Sequence, residues 1–293
     1  MEFHNPFILF FMNSKNFYWN KILAFGILYT IGVIAIQILV AIIVVFVVPL
    51  DVDSINSIEF LTISGWIILF YSVFLSFLFL FFVDKLKWRE TWLFQKPVKF
   101  IISSLSGIVI IGVFIAIYLV FVKQLNLIEF SIRHPDKIFV LFLFSVFSAL
   151  TEEVPLRGYI LHYFHKHGKS IQGIIFITLI FILLHLLNPG ITVVIFINMI
   201  LFSVFLSFMT ILTKSIWVAV FFHLSINFFG SLLFGVGNLE IENNYSLLEL
   251  NYLDSSVFLH GGESTISGSI IFSILLFISI LIVGTFLIKK KKL

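Results

Sequence analysis

Charge is scarce in this chain. Asp, Glu, Lys and Arg make up only 11% of its 293 residues, against 60% hydrophobic, and the mean hydropathy is +1.16. A soluble domain is nearer one quarter charged, so these side chains cannot cover a water-facing surface, and a soluble globular protein is excluded. Cysteine is absent, which excludes disulfides and thiolate metal sites. The net charge of +3 is modest and sits in loops and tails, so no nucleic-acid partner is expected. There is no internal repeat and no stretch that reads as a second, soluble domain. Residues 1–20 do not read as a cleavable signal, because the apolar stretch after Lys21 is too long for one and lacks a small-residue cleavage site.

The apolar residues fall in blocks about 20 residues long, enough to cross a bilayer core of roughly 30 Å. Eight spans are expected, at about 23–49, 63–83, 101–122, 138–156, 171–187, 191–212, 215–236 and 268–288. The fold class is therefore all-α, a polytopic membrane helical bundle. We divide this single membrane domain into peripheral N-terminal helices (1–136), a core (137–236), a loop (237–267) and a last helix with a basic tail (268–293). Lys and Arg mark cytoplasmic loops. Lys85, Lys87, Arg89, Lys96 and Lys99 in 84–100, then Arg157, Lys166, Lys169, Lys214 and the tail Lys289–Lys292, fall on one side of an eight-span chain. Loops 50–62 and 237–267 carry only acidic charge, and loop 123–137 is mixed. Both termini are thus expected in the cytoplasm, with 237–267, flanked by glycines, as an external lid.

Ionisable residues inside a span are costly, and here they gather between 151 and 227. The segment Glu152-Glu153-Val154-Pro155-Leu156-Arg157 lies at the inner end of span four, but Glu152 can meet His185 only if that span runs on towards Tyr163, which the apolar Val154, Leu156, Tyr159, Ile160 and Leu161 allow. On a helix Glu153 and Arg157 are i and i+4 and can pair. Glu152 lies about 100° round the helix, free to serve as a general base. Pro155 should disturb the helix beside them. His185 stands alone in an apolar run four residues after Phe181, whose ring reads as plain packing. His223 and Asn227 share one face of span seven, about 12–18 Å in. Singly, each has a structural explanation: a wet helix end, a buried histidine, an interhelical hydrogen bond. His162, His165 and His167 read as a solvated inner loop. Together, two carboxylates, an arginine, two histidines and an asparagine can activate water against a carbonyl and stabilise the oxyanion. HExxH and GxSxG are absent.

These residues resemble the CPBP (CAAX protease and bacteriocin-processing, or Abi) family, whose pattern is EExxxR, then FxxxH, then HxxxN on successive membrane helices. They read here as Glu152-Glu153 to Arg157, Phe181 to His185, and His223 to Asn227. Leu156 replaces a more usual Phe, and Pro155 is uncommon. The resemblance implies an intramembrane endopeptidase in which Glu152 and His185 activate water. His223 and Asn227 would hold the oxyanion, and Glu153 and Arg157 would brace the site. The family is usually labelled metalloprotease, and Glu152, His185 and His223 could ligate a divalent metal such as zinc; we favour a glutamate-type site without tightly bound metal. The abundance of Ile, Phe, Lys and Asn suggests a bacterial gene. The expected partners are a membrane-associated peptide or protein substrate and the bilayer itself, in peptide processing or bacteriocin self-immunity. A non-catalytic immunity or scaffold protein is the main alternative, and a proton-coupled transporter a weaker one, since repeat symmetry is lacking. The site is expected to open to the inner face.

The charge pattern fixes a first test. Reporter fusions at Asn56 and Asn243 should report an external location and a fusion after Lys96 a cytoplasmic one; the reverse at either acidic loop overturns the eight-span count.

Overall fold

A computed structural model describes residues 18–47, 58–124, 128–130, 138–186, 190–234, 248–250, 257–291 and 293. Within them the bundle has eight apolar helices: α1 (Trp19–Val47), α2 (Ile58–Phe77), α3 (Pro97–Gln124), α4 (Ile138–Lys166), α5 (Ser170–His185), α6 (Val193–Thr213), α7 (Trp217–Phe234) and α8 (Ile270–Lys289). A π-helical turn, Leu78–Val83, prolongs α2. Six of the eight are long and apolar enough to cross a membrane, and α5 and α7 are shorter apolar helices. Helix is the form a lone span must take, because lipid offers the backbone no hydrogen bonds. Outward side chains such as Phe70, Phe74 and Val193 are exposed and apolar, the surface that acyl chains require.

Local chemistry sets the boundaries. Pro97 opens α3, where a missing N–H costs nothing. The Thr192 and Ser269 hydroxyls accept from the N–H groups of Ile195 and Phe272 and cap α6 and α8. Lys214, left-handed at φ 50°, ends α6. Its carbonyl accepts from Gln95 and Lys99 at 3.2 and 2.9 Å, and the Trp217 indole donates to the Leu93 carbonyl. The lysine-bearing segments thus meet at one end of the bundle. At the other end a ribbon outside the helical expectation pairs β1 (Ile128–Phe130) with β2 (Leu248–Leu250), antiparallel. The rest of the predicted lid at 237–256, like Asn188 and Pro189 of the expected break, lies outside the described residues.

Span four runs on past 156, as the depth of His185 requires. It runs as one 29-residue helix from Ile138 to Lys166, not to 156, because Leu156, Tyr159, Ile160 and Leu161 are fully buried in the bundle and continue its apolar character. Helix α4 packs between α2 and α7, α3 lies against α7, and α6 against α5 and α8.

Helices α3 and α7 touch backbone to backbone at Gly107. A Cβ there would stand 2.5 Å from the Val218 carbonyl oxygen and 2.8 Å from the Phe222 nitrogen. On the same helix a Cβ at Gly112 would meet nothing within 4 Å. Gly107→Ala should therefore lower the melting temperature in detergent, at an overpacking cost of ~1–3 kcal/mol, whereas Gly112→Ala should leave it unchanged or raise it. Equal effects would mean that this contact does not set the α3–α7 spacing.

Candidate active site

The widened middle of α4 positions the carboxylates. From Val154 to Leu161 the chain forms a π-helix with Pro155 near its start. An α-helix would use the N–H of residue 155 to satisfy the Thr151 carbonyl, and proline has none. That carbonyl instead accepts from the buried Tyr29 hydroxyl of α1, at 3.0 Å. The expected disturbance at Pro155 is thus a π-helical segment, a form that recurs at functional sites.

Glu153 and Arg157 form the expected ion pair, Nη1 to Oε1 at 3.0 Å, with both side chains fully buried. The network extends further than the sequence implied. The same Oε1 lies 2.9 Å from His223 Nδ1. The Arg157 Nη2 group donates to the Ser203 hydroxyl and carbonyl at 3.1 and 3.3 Å, and Thr178 donates to the Ser203 hydroxyl at 3.0 Å. One carboxylate therefore ties α4 to α7, and its arginine ties α4 to α6 and through it to α5. The guanidinium also lies over the Phe181 ring, 5.7 Å from its centroid, within cation–π range. Phe181 is accordingly more than packing: its ring lies 4.5 Å from that of His185.

Glu152 faces the other way. Its Oε1 stands 3.8 Å from His185 Nε2, beyond a hydrogen bond, and the two side chains are 15% and 18% exposed. Its Oε2 is buried and makes no hydrogen bond. The longer α4 brings the pair level. Glu152 lies ~21 Å along α4 from its basic end and His185 ~22 Å along α5, at 1.5 Å per residue. His185 Nδ1 is 2.8 Å from the Phe181 carbonyl. A carbonyl only accepts, so Nδ1 carries the proton and the Nε2 lone pair of the neutral ring faces Glu152. By the same reasoning His223 Nδ1 donates to Glu153. Asn227 Nδ2 donates to the Ser148 hydroxyl at 3.3 Å.

Glu152, His185, His223 and Asn227 all line one cavity of about 430 Å³. Glu153 and Arg157 lie behind it. Among the described residues no three His, Asp or Glu side chains converge to hold a metal ion. Glu152, His185 and His223 do not form such a group in this structure, and the chemistry below is written for the side chains themselves.

The lining of the cavity bears on the expected opening to the inner face. The cavity is walled by Gln37 near the far end of α1, Ser64 near the start of α2, Phe144 in the first half of α4, Ile191 and Ile195 where α6 begins, and Ser231 at the end of α7. None of its lining comes from the lysine-bearing loops 85–99 or 213–217. It extends from mid-bundle towards the end opposite the basic loops, not towards them, because the Glu153–Arg157 network and the buried half of α4 plug the basic side. Ser264, Ile266 and Ser267 complete the wall, held by Asn198, which donates to the Ser267 and Ser269 carbonyls at 2.8 and 3.0 Å. Sequence reasoning missed Tyr29, Asn198 and Ser203; the lone tyrosine and asparagine in apolar runs were the available signals.

Residues 134–229, which carry all three motifs, match the family model described as Type II CAAX prenyl endopeptidase Rce1-like, consistent with the CPBP resemblance. No curated protein and no solved structure matches the chain. The match and the apolar helices support a multi-pass membrane protein with a function of the CAAX-type intramembrane protease kind.

The two adjacent glutamates should fail differently. Glu153→Gln leaves Arg157 and His223 without their anion in a dry site, and breaking a buried pair costs ~3–5 kcal/mol. This variant and Arg157→Gln should melt early in detergent. Glu152→Gln, facing the cavity, should melt close to wild type. The opposite ranking would reverse the two roles.

Proposed function

From the family match, we propose that the chain is an intramembrane endopeptidase that hydrolyses a peptide bond by a glutamate-type mechanism. The observation that carries this reading is that the four polar residues of three separate motifs face one cavity. A water within about 3 Å of both Glu152 and His185 would donate one hydrogen to the carboxylate and one to the Nε2 lone pair. As the water oxygen attacks the scissile carbonyl, Glu152 takes its proton and then passes it to the leaving amide nitrogen. The tetrahedral oxyanion is held by Asn227, whose Nδ2 carries a second hydrogen besides the one donated to Ser148, and by His223. With Nδ1 donating to Glu153, His223 can offer a hydrogen from Nε2 only as the imidazolium. Glu153 and Arg157 hold the frame and do not touch substrate.

The same reading sets the side of action. With the basic loops in the cytoplasm and both termini with them, the cavity opens towards the outer half of a cell membrane. The substrate is then a peptide or protein segment presented at the outer leaflet, as in processing of exported peptides or bacteriocin self-immunity in a bacterium. A prenylated cytoplasmic protein does not fit this approach. One observation favours a second reading: the Glu153–Arg157–His223–Ser203 network would serve equally as the polar core of a non-catalytic immunity protein.

Two measurements test this. Glu152→Gln should lower turnover of a bilayer-anchored reporter peptide by at least ~100-fold, as loss of a general base does; full turnover with unchanged cellular protection would leave the scaffold reading. The absence of cysteine permits single-cysteine labelling. Ser264→Cys should react with an impermeant maleimide from outside intact cells, and Lys87→Cys only after permeabilisation. The reverse pattern would place the opening in the cytoplasm.

A further inference from the structure

The cavity that holds Glu152 has a polar group in its wall that the proposed chemistry does not use. Helix α1 contributes Tyr29, Thr30, Val33, Ile34 and Gln37 to the lining. At about 100° per residue these five fall within an arc of about 140°, and Gln37 lies near the middle of it. On the remaining surface of α1, Ile31, Ile38 and Leu39 are exposed and apolar, as lipid requires. Gln37 is exposed too, but on the face of the helix that borders the cavity. From Ile31 to Val47 it is the only polar side chain. A polar residue inside a span is costly and marks a partner or a pathway. Among the described residues the Gln37 carboxamide has no hydrogen-bond partner.

The other two carboxamides of the wall are already engaged. Asn198 donates to the Ser267 and Ser269 carbonyls and accepts from the Ser273 hydroxyl. Asn227 gives one hydrogen to Ser148. The height of Gln37 follows from α1 itself. Tyr29 donates to the Thr151 carbonyl at 3.0 Å, so the cavity face of α1 begins beside Glu152. From Tyr29 to Gln37 is ~12 Å at 1.5 Å per residue, away from the basic end. An extended peptide covers that distance in about three or four residues, at ~3.3 Å each.

A substrate segment that comes from the bilayer is helical, because lipid offers its backbone no other partners. Its scissile carbonyl is open to water only once that helix is unwound. Each peptide group freed in an apolar cavity then needs a new partner. A primary amide carries an N–H donor beside a C=O acceptor and so matches a peptide group at both ends. Resting on the endopeptidase reading, we propose that Gln37 is a substrate-binding residue that pairs with the main chain of the unwound substrate, about three or four residues from the bond that is cut. The ligand of this subsite is a peptide in extended form, recognised by its backbone and not by a side chain.

The test uses the full chain in vesicles of phosphatidylcholine and phosphatidylglycerol, with the bilayer-anchored reporter peptide and a series in which one amide at a time is replaced by an ester. The ester keeps the carbonyl and lacks the N–H. Gln37→Leu keeps the bulk of the side chain, removes the carboxamide, and should melt at or above the wild-type temperature. Its KM should rise about ten-fold with kcat unchanged, the mark of binding lost equally from ground and transition states and the scale of one or two hydrogen bonds. Wild type should lose affinity for one ester only, about three or four residues from the cut, and Gln37→Leu should not distinguish that ester from the amide. An unchanged KM, a fall in kcat alone, or an ester effect at that position that persists in Gln37→Leu would each overturn the contact while leaving proteolysis standing. A wild type that cleaves none of the peptides would remove the endopeptidase reading, and this proposal with it.

Discussion

Glu153 and Arg157 are two full charges in a place with no water, and their neighbours are arranged so that they survive there. An isolated ion in the low-dielectric interior would cost several kcal/mol even after relaxation. The carboxylate is neutralised by its own helix, 3.0 Å away, and a second donor, His223, arrives from α7 at 2.9 Å. The guanidinium, with one edge spent on Glu153, uses the other on Ser203 of α6. Three helices are therefore set in register by the need to satisfy one buried pair. The cavity depends on that register, because His223 presents its second nitrogen only when its first is held by Glu153. Glu152, one residue earlier and a third of a turn away, is turned out of the network and towards the space it borders.

The distribution of charge divides the molecule into two working ends. Lysines, with the buried Asp84 and His162 beneath them, occupy one end, where α2 and α4 terminate and loop 84–96 folds against the α6–α7 turn. The opposite end is poor in cations and carries the cavity, roofed in part by the segment that Asn198 pins. The lining of the candidate water-activating cavity comes from the half of the bundle away from the lysines. Helix α4 runs on past Leu156 and puts Glu152 at its midpoint, level with His185.

Much of this was legible in the residues. Blocks of apolar side chains with lysines between alternate pairs specify eight helices, and i, i+4 spacing specifies the Glu153–Arg157 pair. Other features were not. The link from Glu153 to His223 crosses 70 positions, and no local periodicity encodes it. The cavity's direction is a property of where eight helix ends fall, which spacing along one helix does not reveal. Phe181 looked like one ring among 39, and only its place over Arg157 and beside His185 distinguishes it. Pro155 was legible as a disturbance, but its outcome required a hydroxyl from Tyr29 to take up the freed carbonyl.

The four-residue spacing of Glu153 and Arg157 also bears on how the chain enters the bilayer. Each charge at the centre of an inserting helix opposes its transfer into lipid by ~2.5–3.5 kcal/mol. Because both lie on one turn of α4, they can neutralise each other while that helix is still alone at the insertion machinery, before α6 or α7 has been synthesised. Partners on separate helices would leave each helix to cross with a naked ion. The later arrival of Ser203 and His223 then converts a pair that permits insertion into a junction that selects the correct neighbours, so biogenesis and final architecture draw on the same two side chains in succession.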